Sequence, residues 1–109
     1  MYVARWHMTA RVGQREACIA LLRKWQIDVG YRIGWKPGSL RVAAGAIGAG
    51  EGDIEIEVEL DSLADLEASW SDMDSVPYHK QYMRDLEALI VSGSVRWIVH
   101  RIVDLAPEG

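Results

Sequence analysis

The chain contains no phenylalanine and no asparagine, one cysteine and three prolines, and its basic residues do not outnumber its acidic ones. Each shortage excludes something. A single cysteine, Cys18, rules out an internal disulfide and a cysteine-based zinc site, and a buried, inert thiol on a helix is expected. Twelve Lys and Arg against sixteen Asp and Glu leave a formal net charge of −4. The basic stripe that phosphate binding requires is missing, which argues against nucleic acid as a partner. No apolar run approaches the roughly 20 residues of a membrane span. Nor is there a cationic segment followed by an apolar one of the signal-peptide kind, so the cytoplasm is the expected compartment. With Phe absent, five Trp and four Tyr supply every aromatic ring except the histidines. Such rings carry N–H or O–H groups that need partners when buried, which points to a pocket or an interface. A chain of 109 residues makes one domain that buries about two-thirds of its unfolded surface without covalent staples.

Hydrophobic periodicity sets out the elements. Tyr2–Thr9 alternates as a strand, with Tyr2, Ala4, Trp6 and Met8 on one face. Gly13 introduces a helix to about Val29, striped by Ala17, Cys18, Leu21, Leu22, Trp25 and Val29 and stopped by Gly30. A Gly-rich loop to Gly38 carries Tyr31, Arg32, Trp35 and Lys36. Ser39–Ala49 reads as a strand, and Gly48–Gly52 as a hairpin loop. In Asp53–Leu60, Ile54, Ile56, Val58 and Leu60 alternate strictly with glutamates. Asp61 or Ser62 caps a helix to about Trp70, and Ser71–Ser75 reads as a break. Pro77 suits the first turn of a further helix, capped by Asp74 or Ser75. Its stripe is Tyr78, Tyr82, Met83, Leu86, Leu89 and Ile90, and Gly93 ends it. Ser94–Val103 is the last strand.

The order β-α-β-β-α(α)-β with short connections predicts an α+β, ferredoxin-like antiparallel sheet with helices on one face. Its strands lie in the order fourth, first, third, second. Residues 1–103 form the domain, and 104–109 a fraying tail. The uncovered face carries Val3, Ile98 and Ile102.

Strand parity puts Trp6 and Trp97 side by side under the helices, facing Trp25 and Trp70. That cluster is either a solid core or a pocket with indole walls. The opposite face carries Arg5 and His7, flanked by Glu55 and Glu57 on one side and Arg96 and His100 on the other. This reads as a salt-bridge network, or as a metal site from His7, His100 and Glu55 or Glu57. RNA-recognition domains share the element order, but here three glutamates on the third strand would repel phosphate.

Three stretches carry a family resemblance: Val12-Gly13-Gln14-Arg15-Glu16-Ala17 through Leu21-Leu22-Arg23-Lys24-Trp25, Trp70 with Pro77-Tyr78-His79, and Ser94-Val95-Arg96-Trp97-Ile98-Val99. Through them nearly the whole chain resembles the dimeric α+β-barrel superfamily, nearest to its antibiotic-biosynthesis-monooxygenase-like and NIPSNAP-like groups. The resemblance implies a homodimer joined through the bare sheet faces, with a cavity in each subunit between sheet and helices. The superfamily holds cofactor-free monooxygenases, haem-degrading monooxygenases, isomerases and cyclases, so fold alone does not settle activity. The leading expectation is a small-molecule-binding protein acting as a cofactor-independent monooxygenase on an aromatic or polyketide-like substrate. The dry pocket would hold the substrate as an electron-rich anion. Trp6, Trp25, Trp35, Trp70 and Trp97 are the candidate substrate-binding residues. His79, Tyr78 and Tyr82 are the candidate catalytic ones, His79 or Tyr78 handling the proton. No cofactor and no resident metal are expected; the expected partners are a second copy and a small-molecule ligand. One alternative is a non-catalytic structural or regulatory dimer. Another is haem binding or degradation, implied because haem-degrading members also place a Trp on the second helical segment and a His shortly after it. Those enzymes use an Asn on the first strand, which this chain lacks.

Overall fold

The protein was analysed as a computed structural model that describes residues 1–106. Its elements are strand β1 (Tyr2–Thr9), helix α1 (Arg15–Trp25), strands β2 (Leu40–Ala44) and β3 (Asp53–Leu60), helices α2 (Leu63–Ser75) and α3 (His79–Glu87), and strand β4 (Arg96–Arg101). All neighbouring strands pair antiparallel in the order β2-β3-β1-β4. This is the predicted ferredoxin-like order, and residues 107–109 of the expected tail lie outside the described residues.

The alternation in β3 sorts the sheet into two faces. Ile54, Ile56 and Val58 are buried, each contributing roughly 1.5–3 kcal/mol of transfer free energy. Register carries that face across the sheet: Trp6 stands opposite Ile56 on one side and Trp97 on the other. The helices supply the second layer through Cys18, Leu22 and Trp25 of α1, Leu66 and Met73 of α2, and Leu86 of α3. The molecule is a slab of 52 × 36 × 23 Å, two layers thick.

Four local expectations are corrected. Gly30 does not stop the first helix. Residues Gln26–Gly30 continue it as a π-helical turn, in which Tyr31 N–H donates to Gln26 O at 2.9 Å. The left-handed residue that turns the chain is Gly34, with φ +92°. β2 ends at Ala44 rather than Ala49. At Gly45 the chain comes so close to its return limb that an added Cβ would lie 2.0 Å from Gly50 O. α2 runs through Ser71–Ser75 without a break. Its buried positions Leu66, Ser69 and Met73 keep helical spacing, so one apolar residue carries the phase through a polar string. Pro77 does not open α3. It ends α2 by forcing Val76 into extended backbone (φ −81°, ψ 120°), and α3 starts at His79 behind Tyr78, with no side-chain cap.

Candidate functional site

The five tryptophans form one continuous chain of rings. Trp35 lies 5.6 Å from Trp25, Trp25 lies 5.5 Å from Trp6, Trp6 lies 5.8 Å from Trp97, and Trp97 lies 5.5 Å from Trp70. Each contact follows from the fold. Trp6 and Trp97 are cross-strand partners and lie parallel within 5°. Trp25 closes α1 above them, Trp35 follows the π-helical turn, and Trp70 comes down from α2. Centroid spacings in this range suit offset and edge-on aromatic pairs.

Their N–H groups have different fates. Trp35 Nε1 donates to Ser69 Oγ at 3.0 Å, and that hydroxyl donates to Asp65 O at 2.9 Å. Trp25 Nε1 donates to His79 Nδ1 at 3.2 Å. Trp6 Nε1 is buried and has no partner among the described residues. A buried donor left unpaired costs about 1–3 kcal/mol.

A cavity of about 330 Å³ opens beside that donor, walled by Trp6, Trp70, Trp97, Met73, Met83, Val95, Asp74 and His79. The hydrogen bond from Trp25 decides the tautomer of His79. An indole N–H only donates, so Nδ1 offers its lone pair and the neutral ring carries its proton on Nε2. Burial pushes the His79 pKa below its ordinary value, partly offset by the Asp74 carboxylate. The site therefore combines apolar walls, two thioethers and a neutral imidazole with one exposed carboxylate.

Of the residues expected to form the site, Trp6, Trp70, Trp97 and His79 line this cavity. Trp25 lies behind the wall, 1% exposed, and supports His79. Trp35 is buried and borders a separate depression beside Asp61, Asp65 and Asp72. Tyr78 and Tyr82 line a third depression, with Lys24, Asp28 and Arg32. There the Arg32 guanidinium sits 5.6 Å from the centre of the Tyr78 ring. The Tyr82 hydroxyl donates to Asp28, which, together with slight burial, pushes its pKa up to about 12. Met73, Asp74, Asp28 and Ser69 were not expected at any site. Helical spacing through Ser71–Ser75 would have exposed Met73. Nothing in the pattern pointed to Asp28, whose direction depends on the π-helical turn.

The residues do not fit haem. Among the residues that wall the cavity the only full charge is the Asp74 carboxylate, which would repel the haem propionates, and there is no Arg or Lys to receive them. The open sheet face does not fit a metal either. Arg5 Nε donates to Glu57 at 3.1 Å and Nη1 to His100 Nδ1 at 3.1 Å. Arg41 also donates to Glu57, and His7 Nε2 lies 3.7 Å from Asp53. Burial opposes ionisation of Glu57, but the hydrogen bonds and charges of Arg41 and Arg5 outweigh it and hold the carboxyl below its ordinary value. Among the described residues no group of three His, Cys, Asp or Glu is placed to hold a metal ion.

Sheet order, helix placement and the position of the cavity define a ferredoxin-like α+β protein of the kind found in dimeric barrels. Comparison with solved structures agrees. A NIPSNAP family protein from Agrobacterium tumefaciens superposes with a TM-score of 0.78 at 19% identity, over 97% of this chain and 96% of that one. An antibiotic biosynthesis monooxygenase superposes at 0.68 with 9% identity, over 95% and 100% of the two chains. A dimeric ferredoxin-like protein from an uncultured marine organism superposes at 0.67 with 14% identity, over 99% and 92%. At these identities the likeness establishes the fold. No protein-family profile and no curated protein matches the sequence. Among the described residues no helix is long and apolar enough to cross a membrane.

Proposed function

We propose that the protein binds a small planar molecule bearing a hydrogen-bond acceptor in the indole-walled cavity, and that it oxygenates an aromatic or polyketide-like substrate there without a cofactor. The observation that carries this reading is the buried, unpaired N–H of Trp6 at the wall of an apolar cavity. A ligand oxygen placed against it would recover the lost hydrogen bond. Indole faces and thioethers suit a flat ring, and the lack of Lys or Arg argues against a phosphate or a multiply charged acid.

The chemistry assigned to the chain's own residues is modest. A substrate enol or phenol held as its anion accepts hydrogen bonds from Trp6 Nε1 and from His79 Nε2. Water exclusion strengthens both bonds, and the electron-rich ring is left open to dioxygen. His79 acts here as a neutral donor and not as a base, because Trp25 occupies its Nδ1. Tyr78 and Tyr82, on their separate depression, have no part in this reading. The working unit is a homodimer joined through the open sheet face, a reading supported by that face's ordered charges and by the dimeric structural neighbour.

The test is titration with naphthols, anthrones and hydroxyquinones, followed by tryptophan fluorescence and an oxygen electrode. Saturable quenching in the wild type, lost in Trp97→Ala and kept in Tyr82→Phe, is expected. Quenching unchanged in Trp97→Ala would remove the cavity from consideration. Binding without oxygen uptake would leave a binding module and no oxygenase. Light scattering across a concentration series checks the dimer, which a monomer throughout would rule out.

A further inference from the structure

The indole chain ends in a second arrangement that ligand binding does not use. Four successive contacts of 5.5–5.8 Å link Trp70, which is 40% exposed at the cavity mouth, through Trp97 and Trp6 to Trp25 and on to Trp35. At such separations the oxidation of one ring is passed to the next by electron transfer, with no ring having to move. Where the oxidising equivalent comes to rest depends on which ring can lose its proton, because an indole radical cation is strongly acidic and its deprotonated form is much the weaker oxidant. Trp6 has no acceptor for its N–H among the described residues. Trp35 has only the Ser69 hydroxyl, a poor base. Trp25 alone donates to an imidazole lone pair, His79 Nδ1 at 3.2 Å.

We propose that the five tryptophans form a one-electron relay whose terminus is the Trp25–His79 pair, carrying oxidising equivalents away from the cavity. The oxidant is an organic peroxyl or aryloxyl radical arising at the cavity mouth. It takes one electron from Trp70 and becomes the corresponding anion. Trp97, Trp6 and Trp25 each refill the ring before them in turn. As Trp25 loses its electron, its Nε1–H bond breaks and the proton passes to His79 Nδ1. The products are a neutral indolyl radical at Trp25 and an imidazolium at His79. A one-electron reductant of the ascorbate class restores Trp25 as the proton returns from Nδ1, and the cycle balances in charge and atoms. The relay needs the ring geometry and not the identity of the ligand, so it stands or falls apart from the oxygenase reading.

Asp74, the charged group acting on His79 from α2, favours the imidazolium, whereas burial opposes it in the resting state. The acceptor is therefore in its neutral form at neutral pH and disappears in acid.

Laser flash-quench oxidation with a ruthenium polypyridyl photo-oxidant and transient absorption tests the relay on the wild-type chain. At pH 7 the spectrum is expected to be that of the neutral indolyl radical, formed without a resolved cation phase. In His79→Phe, a substitution at a half-buried position, the radical cation should accumulate and decay several-fold more slowly. The same cation signature should appear in the wild type once the pH falls below the pKa of His79, with no mutation that endangers folding. Trp97→Phe should delay arrival at Trp25 severalfold. A neutral-radical yield and rate identical in wild type and His79→Phe, or indifferent to acid, would overturn the proposal, as would an unchanged trace in Trp97→Phe.

Discussion

On the helix-covered side of the sheet, β1 and β4 present Trp6 and Trp97 to each other; on the open side the same two strands present Arg5, His7, Arg96 and His100. The backbone pairing is common to both, and only the parity of the side chains differs. The covered side holds large rings with few polar atoms, each of which must find a partner or remain costly. The open side holds exposed ion pairs, such as Arg5 with Glu57 at side-chain exposures of 31% and 18%, which water and salt weaken. Stability therefore belongs to the first side. The ordered charge pattern of the second becomes valuable only when something excludes water from it.

The contrast is tested most severely by Trp25→Ala, which removes a 1%-exposed ring touching two other indoles and the His79 acceptor. We expect a loss of about 3–5 kcal/mol in denaturant unfolding, as for other large-to-small core changes. A smaller loss is expected from Ser69→Ala, which strands the buried Trp35 N–H: about 1–3 kcal/mol, with the unfolding slope unchanged. On the open side, Arg5→Met should cost less than about 1 kcal/mol in a dilute, monomeric chain, and less still in high salt. If a second copy covers that face, the cost rises and depends on protein concentration, which is the sharpest way to tell the two situations apart. The smallest effects are in pH. Both Glu57 and His79 have folded pKa values below their ordinary ones, so in both cases the unfolded chain binds the extra proton. The His79 contribution is present above about pH 6.5 and is lost as pH falls through its folded value. The Glu57 contribution is lost lower, below the ordinary carboxylate range. Stability against pH should therefore show two separate steps, the upper absent in His79→Phe and the lower in Glu57→Gln. A single step in both variants would mean that the two faces are coupled.

The parity of these strands was legible in the sequence because β3 alternates without a fault, and one unambiguous strand fixes the face of its neighbours. Trp6, Trp97 and their shared side followed from that alone. Two things were not legible. Ser71–Ser75 is built from residues that compete for backbone hydrogen bonds and favour caps, so a string of them reads as an ending. The burial of Met73, a tertiary effect, overrides it. The second is the region after Trp25. A π-helical turn adds a residue to the helix, so a 3.6-residue period assigns Asp28 and Gly30 to the wrong directions. Whether indole walls enclose a cavity or fill it depends on ring orientation, which no spacing rule contains; that is why Tyr78, Tyr82 and His79, neighbours on one helical segment, open onto different depressions.

The π-helical turn at Gln26–Gly30 has a genetic meaning as well as a geometric one. It is what a helix becomes when it absorbs one inserted residue. Deleting any one residue there would restore the ordinary period and rotate everything that follows by about 100° relative to α1. The hydroxyl of Tyr82 would lose Asp28, and Trp35 would leave the ring of Trp25. Most of the sheet lies outside that rotation. A single-codon change at this spot would thus disconnect one depression and one end of the indole chain while sparing the strand pairing. Homologous chains that differ in length at this position should be expected to share the fold and differ in what it binds.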